Sequence, residues 1–374
     1  MIKLAIIGAS YLQLPLALKA KEMGLYTLCF AWAEGAVCKN VVNEFYPISI
    51  VEKDEILAIC REKQINGICT IASDVAAPTV AYVAEKMGLR GNTYKAAITA
   101  NNKYLMRNAL QNAGLLCPLY KRMKSVDECL LFTVEVCEKG LIVKPTDRSG
   151  SLGVTKVETV DELPGALENA LNSSFNHEAI VEEYVEGREI SVEFISYQGK
   201  HYPLQITDKV TTGAPHFVEL EHHQPAKLSN EQFVEIYDMT AKALTALGIT
   251  NGASHSEYKI TADGLIYVIE IGARMGGDFI GSHLVQLSTE YDFLKGVIDV
   301  ALGQFTIPVM PEHNCSGVYF LSAETQRVKH YIDHAAEYRE IVSAQQTDDE
   351  LHALKCSADR SGYFIYKSNK KFCI

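Results

Sequence analysis

Apolar strand-like runs alternate with amphipathic helical segments over the first 95 residues of the chain. This βαβα rhythm predicts an open, mostly parallel sheet, because parallel strands need a long crossover connection that is usually a helix. The predicted strands are Leu4–Ile7, Tyr26–Phe30 and Gly67–Ile71, and the predicted helices are Pro15–Met23, Ile56–Lys63 and Ala77–Met87.

The first turn of this sheet, Gly8–Gln13, does not complete the glycine pattern of a dinucleotide site. Ser10 stands where a glycine would let the backbone approach a pyrophosphate, and the later glycines are missing. We therefore predict a Rossmann-like sheet that does not bind NAD through this turn.

Length and composition limit the functional class. The 374 residues suit two or three packed subdomains. The net charge of -11 disfavours a nucleic-acid partner. The 10 cysteines include no C-x-x-C pair, no signal peptide is apparent before the first strand, and no apolar run is long enough to span a bilayer. We expect a cytoplasmic protein without a membrane partner.

After residue 95 the pattern changes to longer strands with fewer helices. The predicted helices are Ala96–Gly114, Val126–Glu138, Glu162–Leu171, Glu231–Leu247 and Phe293–Ala301. The predicted strands are Leu141–Lys144, Gly153–Val157, Ala179–Tyr184, Glu189–Ser196, Lys200–Ile206, His255–Ile260 and Leu265–Ile271. Residues 305–374 resemble short strands around one helix and predict a C-terminal cap.

Two of these strands form a predicted hairpin through Asp263-Gly264, a preferred pair for a two-residue turn. That register places Glu257 directly opposite Glu270 on one face. A four-residue loop gives the same pairing, and a three-residue loop would break it. Like charges in this position destabilise a sheet unless solvent or a cation separates them. An exposed acidic hairpin and a Mg²⁺ site both remain open.

Arg274 follows the hairpin among the glycines of Gly272–Asp278. A guanidinium in a flexible segment beside two carboxylates is typical of a phosphate or carboxylate clamp. A salt bridge from Arg274 to one of the two glutamates is the alternative.

Two further segments carry candidate nucleotide contacts. Lys144 ends an apolar strand and precedes the Gly- and Ser-rich loop 146–153, whose backbone N–H groups can face phosphates. The connection after Glu182 can offer backbone groups to an adenine edge, and a following Glu can accept ribose hydroxyls. An ordinary turn and an acidic surface hairpin are the alternatives.

The substrate end is marked by a polar stretch, residues 207–227. We hypothesise that it lines an acceptor pocket, with His216 and Glu219 near an amino group. A surface loop with incidental histidines is the alternative. Asp74 follows a parallel strand, where ligands often bind, although it could also cap the helix near Pro78.

In their order along residues 1–305, these segments resemble the ATP-grasp superfamily, and in particular its carboxylate–amine ligases of the carbamoyl-phosphate-synthase-like and L-amino-acid-ligase kind. The residues that carry the resemblance are Asn102-Lys103 with Arg107, Val143-Lys144-Pro145 with Ser149-Gly150-Ser151 and Gly153-Val154, Glu182-Glu183-Tyr184-Val185 with Gly187, Glu189 and Ser191-Val192, and Glu270-Ile271-Gly272-Ala273-Arg274.

The resemblance implies a role for each matching position. Two lysines would bind ATP phosphates, a loop would close over the triphosphate, and two glutamates would bind one or two Mg²⁺ ions, with Mn²⁺ as a substitute. The two lysines are Lys103 and Lys144. The loop residues are Ser149, Gly150, Ser151 and Gly153. The two metal-binding glutamates are Glu257 and Glu270. Glu182 with the Tyr184-Val185 backbone would hold adenine, Glu189 the ribose, and Arg274 an acyl phosphate. Gly272 departs from the family, which usually has Asn there, so one ligand of a second metal is in doubt.

The resemblance also implies an ATP-grasp fold of mixed α/β and α+β class. It comprises a Rossmann-like domain (1–95), an ATP-grasp domain (96–304) with a lid at about 120–185, and the mainly β cap (305–374). The implied enzyme joins a small carboxylate, such as an amino acid, to an amine through an acyl phosphate and releases ADP and phosphate; a homodimer is compatible with it. A bicarbonate-dependent carboxylase or carbamoyl-phosphate-type phosphotransferase and a silent nucleotide-binding module are the alternatives.

Overall fold

The computed structural model describes residues 1–131, 140–310 and 314–374. This part of the chain contains three sheets: a parallel one at the N-terminus, a small antiparallel one, and a central sheet of eight strands. The described residues include no helix that is long and apolar enough to cross a membrane.

The N-terminal sheet is parallel throughout, as the βαβα rhythm predicts, with the strand order β3-β2-β1-β4. Leu4 and Ile6 pack in the hydrophobic cluster on one face, and Ala5 and Ile7 pack in the cluster on the other. The strands are β1 (Lys3–Ile7), β2 (Tyr26–Phe30), β3 (Glu44–Tyr46) and β4 (Gly67–Cys69), and the helices are α1 (Leu14–Glu22), α2 (Lys53–Lys63) and α3 (Ala77–Met87).

The first turn of this sheet is filled by the protein itself. Gln13 Oε1 accepts hydrogen bonds from the backbone N–H and the hydroxyl of Ser10, at 3.1 and 2.7 Å. A Cβ at Gly8 would meet the Gln13 side chain at 3.0 Å. The turn therefore presents a side chain where a dinucleotide site needs open backbone.

The predicted single helix Ala96–Gly114 is wrong. The segment forms two helices, α4 (Tyr94–Asn101) and α5 (Lys103–Asn112), because Asn102 is extended and its side chain accepts a hydrogen bond from Leu105 N. Asn favours this capping role over a helix interior. The break makes Lys103 the first residue of α5.

The small antiparallel sheet has the order β5-β8-β6-β7 and spans most of the range predicted as a lid. Its strands are β5 (Tyr120–Met123), β6 (Leu141–Pro145), β7 (Thr155–Val157) and β8 (Ala179–Glu183), and α6 (Leu163–Ser173) packs against it. The predicted helix Val126–Glu138 begins as a 3₁₀ helix, Val126–Leu131, and its remainder lies outside the described residues.

The central sheet is antiparallel, with the order β13-β12-β9-β10-β11-β14-β16-β15. Its strands are β9 (Arg188–Tyr197), β10 (Lys200–Thr211), β11 (Glu219–Gln224), β12 (Gly252–Ile260), β13 (Ile266–Gly272), β14 (Cys315–Leu321), β15 (Ile341–Gln346) and β16 (Gly362–Ser368). The accompanying α-helices are α7 (Asn230–Leu247), α8 (Val285–Thr289), α9 (Phe293–Leu302) and α10 (Arg327–Asp333), and a π-helical turn, Ile280–Leu284, precedes α8. The predicted C-terminal cap is thus mainly β, but its strands extend the central sheet.

Much of the polar stretch 207–227 is not a surface loop, which was the alternative interpretation of this segment. β10 runs on to Thr211, and β11 occupies Glu219–Gln224, so much of the stretch is paired strand. Strand pairing accommodates this hydrophilic sequence because Glu219 faces the cleft and buried polar side chains bond to one another, as Gln224 does to Thr207 at 2.9 Å.

The hairpin β12–β13 pairs Glu257 with Glu270, as predicted, but by a different route. The pairing of Ile260 with Ile266 leaves a three-residue loop, Ala262–Gly264, between Thr261 and Leu265, which was expected to break the pairing. A β-bulge between Glu257 and Tyr258 shifts the register by one residue and restores it. The predicted two-residue turn was therefore wrong, and the predicted pair of carboxylates is present.

Candidate active site

One cleft collects almost all of the residues singled out in the sequence. It is bordered by the small sheet, the polar face of the central sheet and the end of β4. The predicted residues that line it are Asp74, Lys103, Lys144, Ser149, Gly150, Ser151, Glu182, Tyr184, Val185, Glu189, Glu219, Glu257, Glu270 and Arg274. Gly153 and His216 are not among its lining residues, and His216 is exposed.

Strand alternation explains why the polar groups face this cleft. In β9, Ile190 and Val192 point into the hydrophobic core beside α7, and Glu189, Ser191 and Glu193 therefore point to the opposite face. β12 alternates in the same way: its Tyr258 is in that core, and His255, Glu257 and Lys259 face the cleft.

Glu182 is the centre of a buried ionic cluster at the small-sheet side. Lys144 Nζ lies 2.7 Å from one of its carboxylate oxygens, and Arg107 Nε lies 2.8 Å from the other. The Arg107 contact is a close ionic approach without hydrogen-bond alignment. Burial raises the pKa of Glu182, but the two cations lower it by more than burial raises it, so the pKa lies below the usual value. Burial likewise lowers the pKa of Lys144.

Lys103 connects the start of α5 to both sides of the cleft. Its Nζ is 3.0 Å from Glu270 Oε1 and donates a hydrogen bond to the Arg148 carbonyl, and its backbone N–H donates to the Thr146 carbonyl at 2.7 Å. The side chain is almost fully buried. Lys103 therefore links the Ser- and Gly-rich loop to one of the two paired glutamates.

The loop after β6 contains three residues with positive φ values. Gly150, Ser151 and Gly153 have φ values of 66°, 57° and 73°, in the left-handed region. A Cβ at Gly153 would meet Ser173 at 2.7 Å, so this glycine allows the loop to pack against the end of α6. Gly153 therefore supports the loop, and residues 149–151 line the cleft.

Glu257 is held by a lysine and a histidine that sequence reasoning did not identify. Lys209 Nζ bonds to Glu257 Oε1 and lies 3.6 Å from Glu219, while His255 Nε2 lies 3.2 Å from the same Glu257 oxygen. His255 Nδ1 contacts the buried Glu193. Burial alone would raise the pKa of Glu257, but Lys209 and His255 bring it well below the usual value.

Asp74 and Arg274 join the N-terminal sheet to the end of the hairpin. Arg274 Nε and Nη2 donate to the two oxygens of Asp74 at 2.8 and 2.7 Å, a bidentate ion pair. The predicted alternative partner for Arg274 was a glutamate, and the structure shows Asp74 instead. A Cβ at Gly272 would lie 2.5 Å from Asp74 Oδ1. The absence of a side chain at position 272 is what makes room for this pair.

An aromatic and cationic group borders the far end of the cleft. Lys259 Nζ lies 3.3 Å from Glu189 Oε1 and 4.9 Å from the Tyr184 ring centroid. Phe217 lies beside Tyr184, with ring centroids 6.3 Å apart. Flat rings next to a carboxylate and backbone groups suit a planar base with an attached sugar.

The paired glutamates fit a divalent cation only in part. In the described residues no group of three or more His, Cys, Asp or Glu side chains could hold a metal ion. Glu257 and Glu270 supply two carboxylates, and Mg²⁺ commonly takes one or two carboxylates and completes its shell with water and phosphate oxygens. Their lysine partners, Lys209 and Lys103, neutralise the pair in the structure. The donor set therefore fits a cation that arrives with a phosphate ligand.

The residues that sequence reasoning missed lie on neighbouring strands. The missed residues are Lys259, Lys209 and His222: Lys259 on β12 and Lys209 on β10 both pair with the predicted Glu189 on β9, and His222 on β11 pairs with Lys209. The signal was present as alternating charged residues in each strand. The sequence does not indicate which strands pair when they are far apart along the chain, and only that pairing brings the charged residues together.

Parts of the chain are similar to a known domain family and to known proteins. Residues 137–282 match the model of the ATP-grasp domain family. The chain is 30% identical over 248 residues to the alanine–anticapsin ligase of Bacillus subtilis (strain 168), covering 60% of this chain and 51% of that protein. It is 31% identical over 140 residues to a D-alanine–D-alanine ligase of Flavobacterium psychrophilum, covering 36% and 42%. The chain thus spans about half the length of the curated relatives it matches.

Solved structures show the same overall architecture. The crystal structure of an L-amino acid ligase from Bacillus licheniformis matches with a TM-score of 0.81 and 23% identity, covering 99% of this chain and 94% of that one. The chain therefore has the ATP-grasp fold, and the match to the ATP-grasp domain family lies within it at residues 137–282.

Proposed function

We propose that this ATP-grasp protein is an ATP-dependent ligase that joins a small carboxylate to an amine through an acyl phosphate. The observation that carries the proposal is the meeting, in one cleft, of Lys103, Lys144, the Glu257–Glu270 pair and Arg274. Phosphoryl transfer depends mainly on positioning and on neutralising charge, and this cleft supplies cations on several sides of a triphosphate.

The nucleotide would lie between the small sheet and the central sheet. Its adenine would pack near Tyr184 and bond to the Tyr184–Val185 backbone, and Glu189 would accept the ribose hydroxyls. Because Arg107 and Lys144 occupy the Glu182 carboxylate, this side chain would act mainly by fixing Lys144. Lys103, Lys144 and residues 149–151 would bind the phosphates as the small sheet closes over them.

Glu257 and Glu270 would hold Mg²⁺, with Mn²⁺ as a substitute. The ion would neutralise the β- and γ-phosphate oxygens when bound. Lys209 and Lys103, which pair with the two glutamates in the structure, would then be free to contact phosphate oxygens.

The proposed reaction has two steps. A carboxylate oxygen attacks the γ-phosphorus, an O–P bond forms, the bond to the bridging oxygen breaks, and ADP leaves. The amine nitrogen then forms a C–N bond with the acyl carbon as the C–O bond breaks and phosphate leaves. Arg274 would stabilise the acyl phosphate, and closure would exclude the water that could hydrolyse it.

An amino acid is the preferred carboxylate. Alanine–anticapsin ligase, D-alanine–D-alanine ligase and L-amino acid ligase are the names of the proteins to which this chain is similar. The Asp74–Arg274 pair offers an anion and a cation at adjacent positions, which suits the ammonium and carboxylate groups of one amino acid. Glu219 lines the cleft on the β11 side, where it would face the incoming amine.

ADP release with pairs drawn from the twenty protein amino acids tests the proposal. Release that needs two amino acids supports it. Release with bicarbonate alone would support a carboxylase or carbamoyl-phosphate-type enzyme, and ATP binding without turnover under every condition would support a silent nucleotide-binding module. A cytoplasmic location and a homodimer remain predictions.

A further inference from the structure

Arg360 comes from the C-terminal residues, outside the segment that matches the ATP-grasp domain, and contacts Glu219, a residue that lines the cleft. It lies between a 3₁₀ helix, Ser357–Asp359, and β16. Its side chain is only 7% exposed, and its guanidinium carbon sits 3.9 Å from the centroid of the Phe320 ring. A charged group this deeply buried needs specific partners.

Those partners are two carboxylates that share one nitrogen. Arg360 Nη2 donates to Glu219 Oε2 at 3.0 Å and to Asp278 Oδ2 at 2.9 Å. It also lies 3.0 Å from the hydroxyl of Ser357. The Nε atom of Arg360 is buried and has no hydrogen-bond partner among the described residues, so the carboxylate contacts of Nη2 set the orientation of the guanidinium.

Glu219 is the member of this group that lines the cleft. One of its oxygens bonds to Arg360, and the other lies 3.6 Å from Lys209 Nζ, which in turn bonds to Glu257. A continuous ionic path therefore runs from the C-terminal segment to the proposed metal-binding glutamates. His222 Nε2 lies 3.8 Å from the Asp278 oxygen that accepts from Arg360.

Without Arg360, the Glu219 and Asp278 carboxylates would be like charges close to each other in a poorly solvated place. One of them would take up a proton or turn away. Burial raises the pKa of Asp278, but Arg360 and His222 outweigh this and lower it, so Asp278 retains its charge. The Arg360 guanidinium bonds to both carboxylates and thereby holds Glu219 in its position at the cleft.

We propose that Arg360 is a positioning residue for the amine half of the reaction: it holds Glu219 where that carboxylate binds the ammonium group of the incoming amine and accepts its proton. The inference rests on the proposed ligase function and extends it. Glu219 takes the proton that converts the ammonium to the attacking amine. The second proton of the nitrogen leaves with the departing phosphate as the C–N bond forms and the C–O bond breaks.

Hydroxylamine separates this inference from the proposed function. It is small and mostly uncharged at neutral pH, so it captures an acyl phosphate as a hydroxamate without needing a carboxylate to hold an ammonium group. The assay uses the amino-acid pair with the highest ADP release and measures hydroxamate formed from the first amino acid and amide formed with the second. The variants are Arg360→Gln and Arg360→Lys. The matched control is Arg327→Gln, because Arg327 also comes from the C-terminal segment and bonds to a β11 carboxylate, Glu221, at 2.9 Å.

Arg360→Gln should lower kcat/KM for the amine about tenfold to a hundredfold, mostly through KM, as expected for the loss of a charged hydrogen bond. Its hydroxamate rate should stay near that of the wild type, and the acidic limb of its amine pH profile should move to higher pH. Arg360→Lys should recover part of the loss, and Arg327→Gln should change neither rate.

Two results would overturn the inference. Equal losses of hydroxamate and amide in Arg360→Gln would indicate a merely structural role, and no loss of either would remove Arg360 from the reaction. A wild-type protein that forms no hydroxamate with any amino acid would overturn the proposed function itself.

Discussion

Replacing Gly272 by alanine tests the geometry of the cleft most sharply. Position 272 ends β13, directly beside the Asp74–Arg274 ion pair. The added Cβ would lie 2.5 Å from Asp74 Oδ1 and 3.1 Å from Arg274 Nε. Real Cβ contacts essentially never fall below 3.0 Å, so Asp74 must move by roughly half an ångström, and Arg274 must follow or lose its hydrogen bonds.

These contacts determine the expected loss of stability and of kcat in Gly272→Ala. Overpacking of one methyl group typically lowers the free energy of unfolding by about 1–3 kcal/mol. Complete separation of a buried pair would add to this, up to about 3–5 kcal/mol, but a shift of half an ångström strains the pair without separating it. Since a misplacement of about 1 Å can cost about a hundredfold in rate, we expect kcat to fall about tenfold.

The measurements are urea unfolding and ADP release at saturating ATP for Gly272→Ala and the wild type. Gly165→Ala is the matched control, because Gly165 lies in α6 and a Cβ added there would meet no atom of the described residues within 4 Å. That variant should be as active as the wild type and about 0.5–1 kcal/mol more stable. If Gly272→Ala matches the wild type in both stability and kcat, the inferred crowding between β13 and the Asp74–Arg274 pair is wrong.

Three other predictions concern single side chains. Glu270→Ala should abolish turnover and weaken Mg²⁺-dependent ATP binding in calorimetry, because one carboxylate of the proposed site is lost; full activity would exclude Glu270 as a metal ligand. Lys144→Ala should raise the Kd for ATP, measured by the same titration, and an unchanged Kd would exclude a phosphate role. Asp74→Asn should destabilise the protein at neutral pH. Burial raises the pKa of Asp74, but Arg274 lowers it below the usual value, so the stability this carboxylate contributes is present above about pH 4 and is lost as pH falls further. The stability difference between Asp74→Asn and the wild type should therefore shrink in urea unfolding between pH 7 and pH 3, and a constant difference would contradict this.

Local signals predicted much of the fold. The βαβα rhythm predicted the parallel sheet, and β2 and α3 begin and end at the predicted residues. Short apolar runs indicate both the type of each element and where it begins and ends. The single helix Ala96–Gly114 failed because helical periodicity continued across Asn102, whose side-chain cap breaks the helix. Periodicity reports which face is buried, and it does not report a one-residue interruption.

The hairpin shows how a correct pairing can be predicted for an incomplete reason. Asp263-Gly264 indicated a tight turn, but Thr261 closes a three-residue loop, and Gly264 has a φ of 88°. The bulge between Glu257 and Tyr258 that restores the register is not signalled by residue type. The carbonyl of Ile269, at this bulge, accepts a hydrogen bond from Arg107, a residue distant in sequence, so tertiary contacts contribute to the register.

The candidate site was predictable where motifs are contiguous and unpredictable where they are assembled across strands. Lys103, Lys144 and the Glu257–Glu270 pair stand in short recognisable segments. Lys209 and Arg360 acquire their positions only when β10 pairs with β9 and when the C-terminal strands extend the central sheet. His216 was predicted only from the polar composition of the stretch around it. It is exposed, and its neighbour Phe217 lines the cleft.

Isotope transfer tests the central claim most directly. An amino acid with both carboxylate oxygens replaced by ¹⁸O is ligated in the presence of ATP and Mg²⁺, and the released phosphate is analysed by mass spectrometry. If the carboxylate attacks the γ-phosphate and the amine later breaks the acyl C–O bond, each phosphate carries one ¹⁸O atom. Phosphate without ¹⁸O, released while ADP and product still form, would contradict an acyl phosphate and with it the proposed ligase mechanism.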